Sequence, residues 1–273
     1  MNWCIGVLTI AAILTLAQSS TKSDFSYTAQ GEWPGVCTTG RRQSPINIIT
    51  SNVQCSTNLW PLQFNNGYSQ LVSGSWENNG HSVDFALDDK ANAIMTTPVG
   101  QYKLYDIHFH WGAGQGQGSE HLINGRASEL EIHFVHNKYP NNVPDTAKDA
   151  KAVLSIRGSM RYIPINGIYS QLDVTSIRSY GSKVPISGIY LPALFPHSGD
   201  YYYYEGSLTT PNCNEVVQWF LPKEEIVVPA NYLANLRTVR DKNGNLLTFN
   251  YRNTQALNGR IVYEVCYNYN SYK

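Results

Sequence analysis

Short runs in which apolar and polar residues alternate recur along the chain: Leu71–Ser75, Ser82–Leu87, Tyr102–His110, Leu130–Val135, Ala152–Ile156, Glu215–Phe220 and Ile261–Tyr267. They are rich in β-branched and aromatic residues, and Gly and Pro punctuate the intervals. A period of two sends successive side chains to opposite faces of a strand, so each run reads as a strand with one face in a core. Sustained 3.6-residue periodicity is scarce. Ala230–Arg237 predicts one short helix and Asp173–Arg178 a weaker one. Neither an internal repeat nor a linker is visible. The pattern predicts a single, mainly β (α+β) domain.

The ends read differently. Met1 to Cys4 lead into an apolar run from Ile5 to Ala17, then polar Gln18 to Lys22. This predicts a signal peptide over residues 1–17, cleaved near 17–19, and the run is too short to span a bilayer comfortably. The last residues, 268–273, form a short polar tail without the hydrophobic stretch of a lipid-anchor signal, so no membrane anchor is expected. The intervening stretch of about 250 residues suits one large domain. Charge is balanced, with 20 basic and 20 acidic residues. No basic run occurs, which argues against nucleic acid and anionic membranes as partners. There is no Asn-x-Ser/Thr sequon. A soluble, secreted, extracellular product is expected; the sequence sets no oligomeric state. Besides Cys4 in the leader, the cysteines are Cys37, Cys55, Cys213 and Cys266. An even count in an exported protein predicts disulfides, and four cysteines allow three pairings.

The chemistry concentrates in Asp106-Ile107-His108-Phe109-His110-Trp111. On a strand, His108 and His110 share a face and Phe109 points away. The run Glu129–His136 also alternates, and if the two strands are neighbours His133 can join the pair. Three neutral imidazoles and no thiolate describe a zinc site with a fourth position open for water. Taken alone, a His-x-His pair is more often packed or at the surface. Glu131 strengthens the metal reading, because a ligating imidazole usually gives its other N–H to a carboxylate or carbonyl.

Five blocks carry a resemblance: Arg42-Gln43-Ser44-Pro45-Ile46-Asn47-Ile48, Ile107 to Gly112, Gly118-Ser119-Glu120-His121, Glu129 to His136, and Gly206-Ser207-Leu208-Thr209-Thr210-Pro211. In this order and at these separations the chain resembles the secreted α-class carbonic anhydrases over residues 25–267. The resemblance implies a large twisted mixed sheet of about ten strands with short peripheral helices, and a metal at the base of a cone-shaped cleft. It implies zinc-dependent, reversible hydration of carbon dioxide to bicarbonate and a proton. His108, His110 and His133 match the zinc ligands. Thr209 and Glu120 match the pair that orients zinc-bound hydroxide, and His81 matches the proton shuttle. Val135, Val153, Leu208, Val217 and Trp219 match the apolar substrate wall, and Thr210 the residue that hydrogen-bonds bicarbonate. Glu131 would orient His133, the Asn250 carbonyl would hold another ligand, and His121 and Tyr204 would form a buried pair. The resemblance favours a Cys37–Cys213 bridge, which leaves Cys55 with Cys266. Tyr27 matches a cleft tyrosine; His136 reads as structural and His197 as a surface-loop residue.

Departures from the family pattern stand at Asp106, usually Gln; at Asn212, often a second Pro; and at Asp84, commonly Asn or Gln. The stretch from His136 to Val153 is shortened and the amino-terminal aromatic cluster compressed. The alternative to an enzyme is a non-catalytic carbonic-anhydrase-like matrix or binding module. Such relatives typically lose a ligand histidine, whereas this chain keeps all three.

Overall fold

The structure, a computed structural model, describes residues 24–88, 91–140 and 143–266. The expected signal peptide and the tail at 268–273 lie outside the described residues. Fifteen strands form: β1 (Asn47–Ile48), β2 (Gln54–Ser56), β3 (Gln63–Phe64), β4 (Val72–Asn78), β5 (Val83–Leu87), β6 (Ile94–Thr97), β7 (Gly100–Trp111), β8 (Leu122–Ile123), β9 (Leu130–Tyr139), β10 (Lys151–Arg161), β11 (Lys183–Ile189), β12 (Tyr201–Gly206), β13 (Val217–Pro222), β14 (Ile226–Pro229) and β15 (Tyr263–Val265). Thirteen belong to one sheet with the order β11-β4-β5-β7-β9-β10-β13-β12-β15-β2; β14 adds to β10, and β6 links β3 to β7. The sheet is mixed, because β10 runs parallel to β13 and β14, and β15 to β2, while β7, β9 and β10 are antiparallel. Among the described residues helices are few and short. The expected helix forms over Ala230–Leu236, and the weaker one is a 3-10 turn over Val174–Ile177 capped by the Asp173 side chain.

All seven predicted strands form, with shifted ends. Eight strands lay outside the predicted runs: six are only two to four residues long, and the two longer ones, β11 and β12, carried no signal in the hydropathy pattern. β12 is Tyr-Tyr-Tyr-Tyr-Glu-Gly, and a tyrosine can face either an apolar core or a polar network, so no alternation shows. β11 is an edge strand paired only with β4, half-exposed and interrupted by Pro185.

The alternation sorts the middle of the sheet into two faces. Ile107, Phe109, Ile132, Phe134, Leu154, Ile156 and Phe220 point to one side and join the main core cluster. Full burial of such side chains stabilises by about 1.5–3 kcal/mol each. His108, His110, Glu131, His133, Val135, Val153 and Trp219 point to the other. The register sets His108 opposite His133 and His133 opposite Ser155, and it sets Val135 opposite Val153 and Val153 opposite Trp219. A β-bulge between Leu104 and Asp106 resets the alternation of β7.

Candidate metal centre

His108 and His110 leave β7 on one face, and His133 meets them from β9. One nitrogen from each lies within 4.8 Å of the others. Each ring has its other nitrogen held. His108 Nδ1 is 2.7 Å from Asp106 Oδ2, His110 Nδ1 is 2.7 Å from the Asn250 carbonyl, and His133 Nε2 is 2.7 Å from Glu131 Oε1. A carbonyl and a carboxylate only accept, so these nitrogens donate. The remaining nitrogens, His108 Nε2, His110 Nε2 and His133 Nδ1, are left as lone pairs, and the last two face each other at 3.1 Å. Burial holds the His110 pKa well below its ordinary value and lowers that of His133 to about 4. A set of three converging imidazole lone pairs suits a dication such as zinc.

Glu131 is the hub beneath this set. Its Oε1 accepts from His133 Nε2, His121 Nδ1 and Ser155 Oγ, each at 2.7 Å, and its Oε2 from the His121 backbone N–H at 2.8 Å. Burial opposes its ionisation, but His121 and His133 outweigh that and pull its pKa well below the usual range. The network continues from His121 Nε2 to the Tyr204 hydroxyl at 2.7 Å and on to Ser44 Oγ at 2.8 Å.

Glu120 behaves oppositely. Burial and repulsion from Glu131 raise its pKa well above the ordinary value, while Thr209 and Arg252 pull it back. Its Oε1 accepts from the Arg252 backbone N–H at 2.8 Å. Oε2 is buried and receives no closed hydrogen bond among the described residues, so the Thr209 hydroxyl acts on the carboxylate without full hydrogen-bond geometry. Gly118 permits this arrangement: a Cβ there would stand 2.0 Å from the Glu129 carbonyl oxygen, so only glycine lets the segment bearing Glu120 press against the start of β9.

A cleft of about 630 Å³ opens above the imidazoles, lined by His108, His110, Val135, Leu208, Thr210, Tyr27 and His81 among others. Val153, Val217 and Trp219, expected on its wall, lie buried in one cluster with Val135 rather than on the lining. Val135, Val153 and Trp219 stand side by side in one cross-strand row, and Val217 lies in the row of Lys151. His81 sits at the mouth, stacked on the Phe25 ring with centroids 3.9 Å apart. Asp84 is buried and accepts a hydrogen bond from the Asn79 side chain. His136 is buried on the opposite face, against Tyr68 and the Ala152 carbonyl, and His197 is exposed. The chain bridges Cys37 to Cys213 and Cys55 to Cys266.

Three contributors escaped the sequence reading. Ser155 has a signal in hindsight, since it shares the alternation of Val153 on β10. Arg252 lies outside any strand and acts on Glu120 through its backbone N–H, so no periodicity marks it. Phe25 had none.

Fold and site together define a single-domain sheet protein whose cleft ends on three converging imidazoles over a buried carboxylate network. Residues 28–266 match the family described as eukaryotic-type carbonic anhydrase. The chain is 35% identical over 236 residues to carbonic anhydrase 7 of Homo sapiens, a match covering 82% of this chain and 88% of that protein. It is 31% identical over 273 residues to carbonic anhydrase 6 of Homo sapiens, covering 94% and 88%. It is 30% identical over 235 residues to carbonic anhydrase 3 of Homo sapiens, covering 82% and 89%. The chain belongs to the eukaryotic-type carbonic anhydrase family.

Proposed function

We propose that this chain is an extracellular, zinc-dependent enzyme for the reversible hydration of carbon dioxide to bicarbonate and a proton. The observation that carries the reading is the approach of His110 Nε2 to His133 Nδ1 at 3.1 Å. Neither facing nitrogen bears a hydrogen, because the other nitrogen of each ring is the donor, and burial opposes protonation of both rings. Two bare lone pairs so close repel, and a shared cation removes the conflict. Tetrahedral zinc with bonds of about 2.0–2.1 Å places its ligand nitrogens about 3.3 Å apart, which fits this gap.

Zinc, when bound, lowers the pKa of a coordinated water to about 7, an effect for which carbonic anhydrase is itself the reference case. The chain's residues do the rest. Ionised Glu120 can only accept, and a divalent charge nearby favours that form against burial. A Thr209 hydroxyl donating to Glu120 keeps its own lone pairs for the proton of the attacking water, which aims that oxygen at carbon. Val135 and Leu208 offer apolar surface to carbon dioxide, backed by Val153, Val217 and Trp219. Thr210 offers bicarbonate a polar contact. His81, an imidazole at the cleft mouth, exchanges protons near neutral pH and relays them to solvent. Glu131, Asp106 and Asn250 hold the ligand rings in the required tautomers. Secretion is supported by the apolar leader and the two cystine bridges; among the described residues no helix is long and apolar enough to cross a membrane.

Stopped-flow carbon dioxide hydration, with and without chelation and alongside metal analysis, tests the reading. About one zinc per chain and chelator-sensitive hydration are expected. A folded, zinc-loaded chain without hydration activity would leave the non-catalytic module instead.

A further inference from the structure

Further out on the cleft wall stands a second row of side chains that hydration does not use. The register pairs Lys103 with Asn137, and Asn137 with Lys151, across β7, β9 and β10. Asn137 is two residues beyond Val135 on β9 and therefore shares its face. Strict alternation back from Asp106 would put Lys103 on the other face. The bulge at Leu104–Asp106 turns it toward the cleft instead. All three side chains line the cleft shared with His108 and Val135.

The charges of this row are poorly matched by the protein. The Lys103 side chain makes no hydrogen bond or ion pair among the described residues; its backbone alone pairs, with β6 and β9. The Lys151 side chain is only 18% exposed, yet its ammonium meets a neutral amide oxygen, Asn137 Oδ1, at 2.7 Å; its nearest carboxylate is that of Asp145 at 3.7 Å, on a side chain 92% exposed. Lys138, adjacent in sequence to Asn137 and equally buried, shows the ordinary solution on the opposite face: a direct pair with Asp149 at 2.6 Å. Four acidic residues also line the cleft; Asp88 is one of them, and the other three are engaged elsewhere. Glu77 pairs with Lys183, Asp106 with His108, and Asp84 with Asn79. With Asn137 Oδ1 taken by Lys151, the amide's N–H groups remain to donate. The row thus offers an amide donor flanked by two ammonium groups.

We propose that Lys103, Asn137 and Lys151 form an anion subsite in the outer cleft for a small planar oxyanion, occupied by bicarbonate as it enters or leaves. The identity of the anion rests on the function proposed above; the subsite does not. Two like charges in a partly desolvated wall concentrate the field on such an anion and weaken with added salt.

The test is a ¹H–¹⁵N NMR titration of the full-length secreted chain with sodium bicarbonate, at constant ionic strength maintained with chloride. Saturable shifts at the amides of Lys103, Asn137 and Lys151 are expected, with acetate, a second planar oxyanion, competing for them. The double variant Lys103→Gln/Lys151→Gln should bind about tenfold more weakly. Lys103→Gln alone, which disturbs no ion pair, should show an intermediate loss and guards against misfolding of the double variant. In His110→Ala, where the imidazole set is broken, the shifts should persist. No saturable shift in the unaltered chain, unchanged affinity in the lysine variants, or loss of the shifts in His110→Ala would each overturn the subsite. Absent hydration with the shifts intact would strike the proposed function and leave the subsite standing.

Discussion

His133 and His136 lie three residues apart on β9, both buried, and burial lowers the pKa of each to about 4. They serve opposite faces of the sheet. His136 spends both nitrogens on the protein, one on the Ala152 carbonyl and one on the Tyr68 hydroxyl. His133 spends one on Glu131 and turns the other toward His110. Burial and a depressed pKa are therefore common to a packing histidine and a candidate ligand. What separates them is an unspent lone pair with another facing it. The two faces of β9 teach the same lesson at larger scale: the core face is closed by contacts, whereas the cleft face is built around groups left unfinished.

The comparison breaks most visibly at the histidines. His110→Ala should abolish zinc binding and reduce hydration by far more than the about 10–100-fold cost of losing an outer hydrogen-bond partner. His136→Ala should keep its zinc and lose about 2–4 kcal/mol of stability from the cavity and the stranded Tyr68 hydroxyl. Metal analysis and urea unfolding of both variants decide the matter; zinc retained in His110→Ala would reverse the assignment.

Neighbouring residues on the same strand give the next largest contrast. Val135→Tyr should fill the apolar cleft floor and cut kcat/KM for hydration by about 100-fold or more while zinc stays bound. Phe134→Ala, facing the core, should cost about 3–5 kcal/mol of stability and leave the chemistry of the folded fraction intact. Hydration within a few-fold of the parent in Val135→Tyr would place the substrate elsewhere.

Acid should sharpen the contrast further. A histidine whose folded pKa is about 4, against an ordinary 6.5, takes up its proton preferentially when unfolded. Its contribution to stability is complete above pH 6.5 and is lost as pH falls toward 4, at up to about 1.4 kcal/mol per pH unit. His136→Gln should flatten that slope by about one proton. An unchanged slope in urea titrations across this window would show that His136 is not the group responsible.

The smallest effect is expected at Asp106. It accepts from His108 Nδ1 directly, at 2.7 Å, so a carboxylate stands where the family usually has an amide. On the proposed zinc reading, its negative charge makes His108 a more electron-rich ligand and disfavours anion formation nearby. Asp106→Gln should therefore lower the apparent pKa of kcat/KM for hydration, by a fraction of a unit to about one unit. A pH profile that stays put or moves up would sink the idea.

Much of the fold was legible because period-two alternation is a local signal. β7 and β9 announce both their strand character and the shared face of His108 and His110. The same signal failed at β12, whose consecutive tyrosines suit either face, and at β7's bulge, where one extra residue leaves no mark in composition. Contacts made across long separations were also out of reach by local reading. The Asn250 carbonyl reaches His110 across 140 residues, and the Arg252 N–H reaches Glu120 across 132. Resemblance, not pattern, pointed to Asn250, Glu120 and Thr209. Phe25, stacked on His81 across 56 positions, is another such long-range contact.

The two cystines have a consequence for durability. Cys37–Cys213 and Cys55–Cys266 span 176 and 211 residues and overlap. A protease cutting once anywhere between residues 55 and 213 would produce two pieces still joined at both bridges. His81, His108, His110, Glu120, His133 and Thr209 all lie within that interval, so a nicked molecule keeps them in one covalent body. Such a molecule would run as a single band on a non-reducing gel and fall apart only when thiols are added.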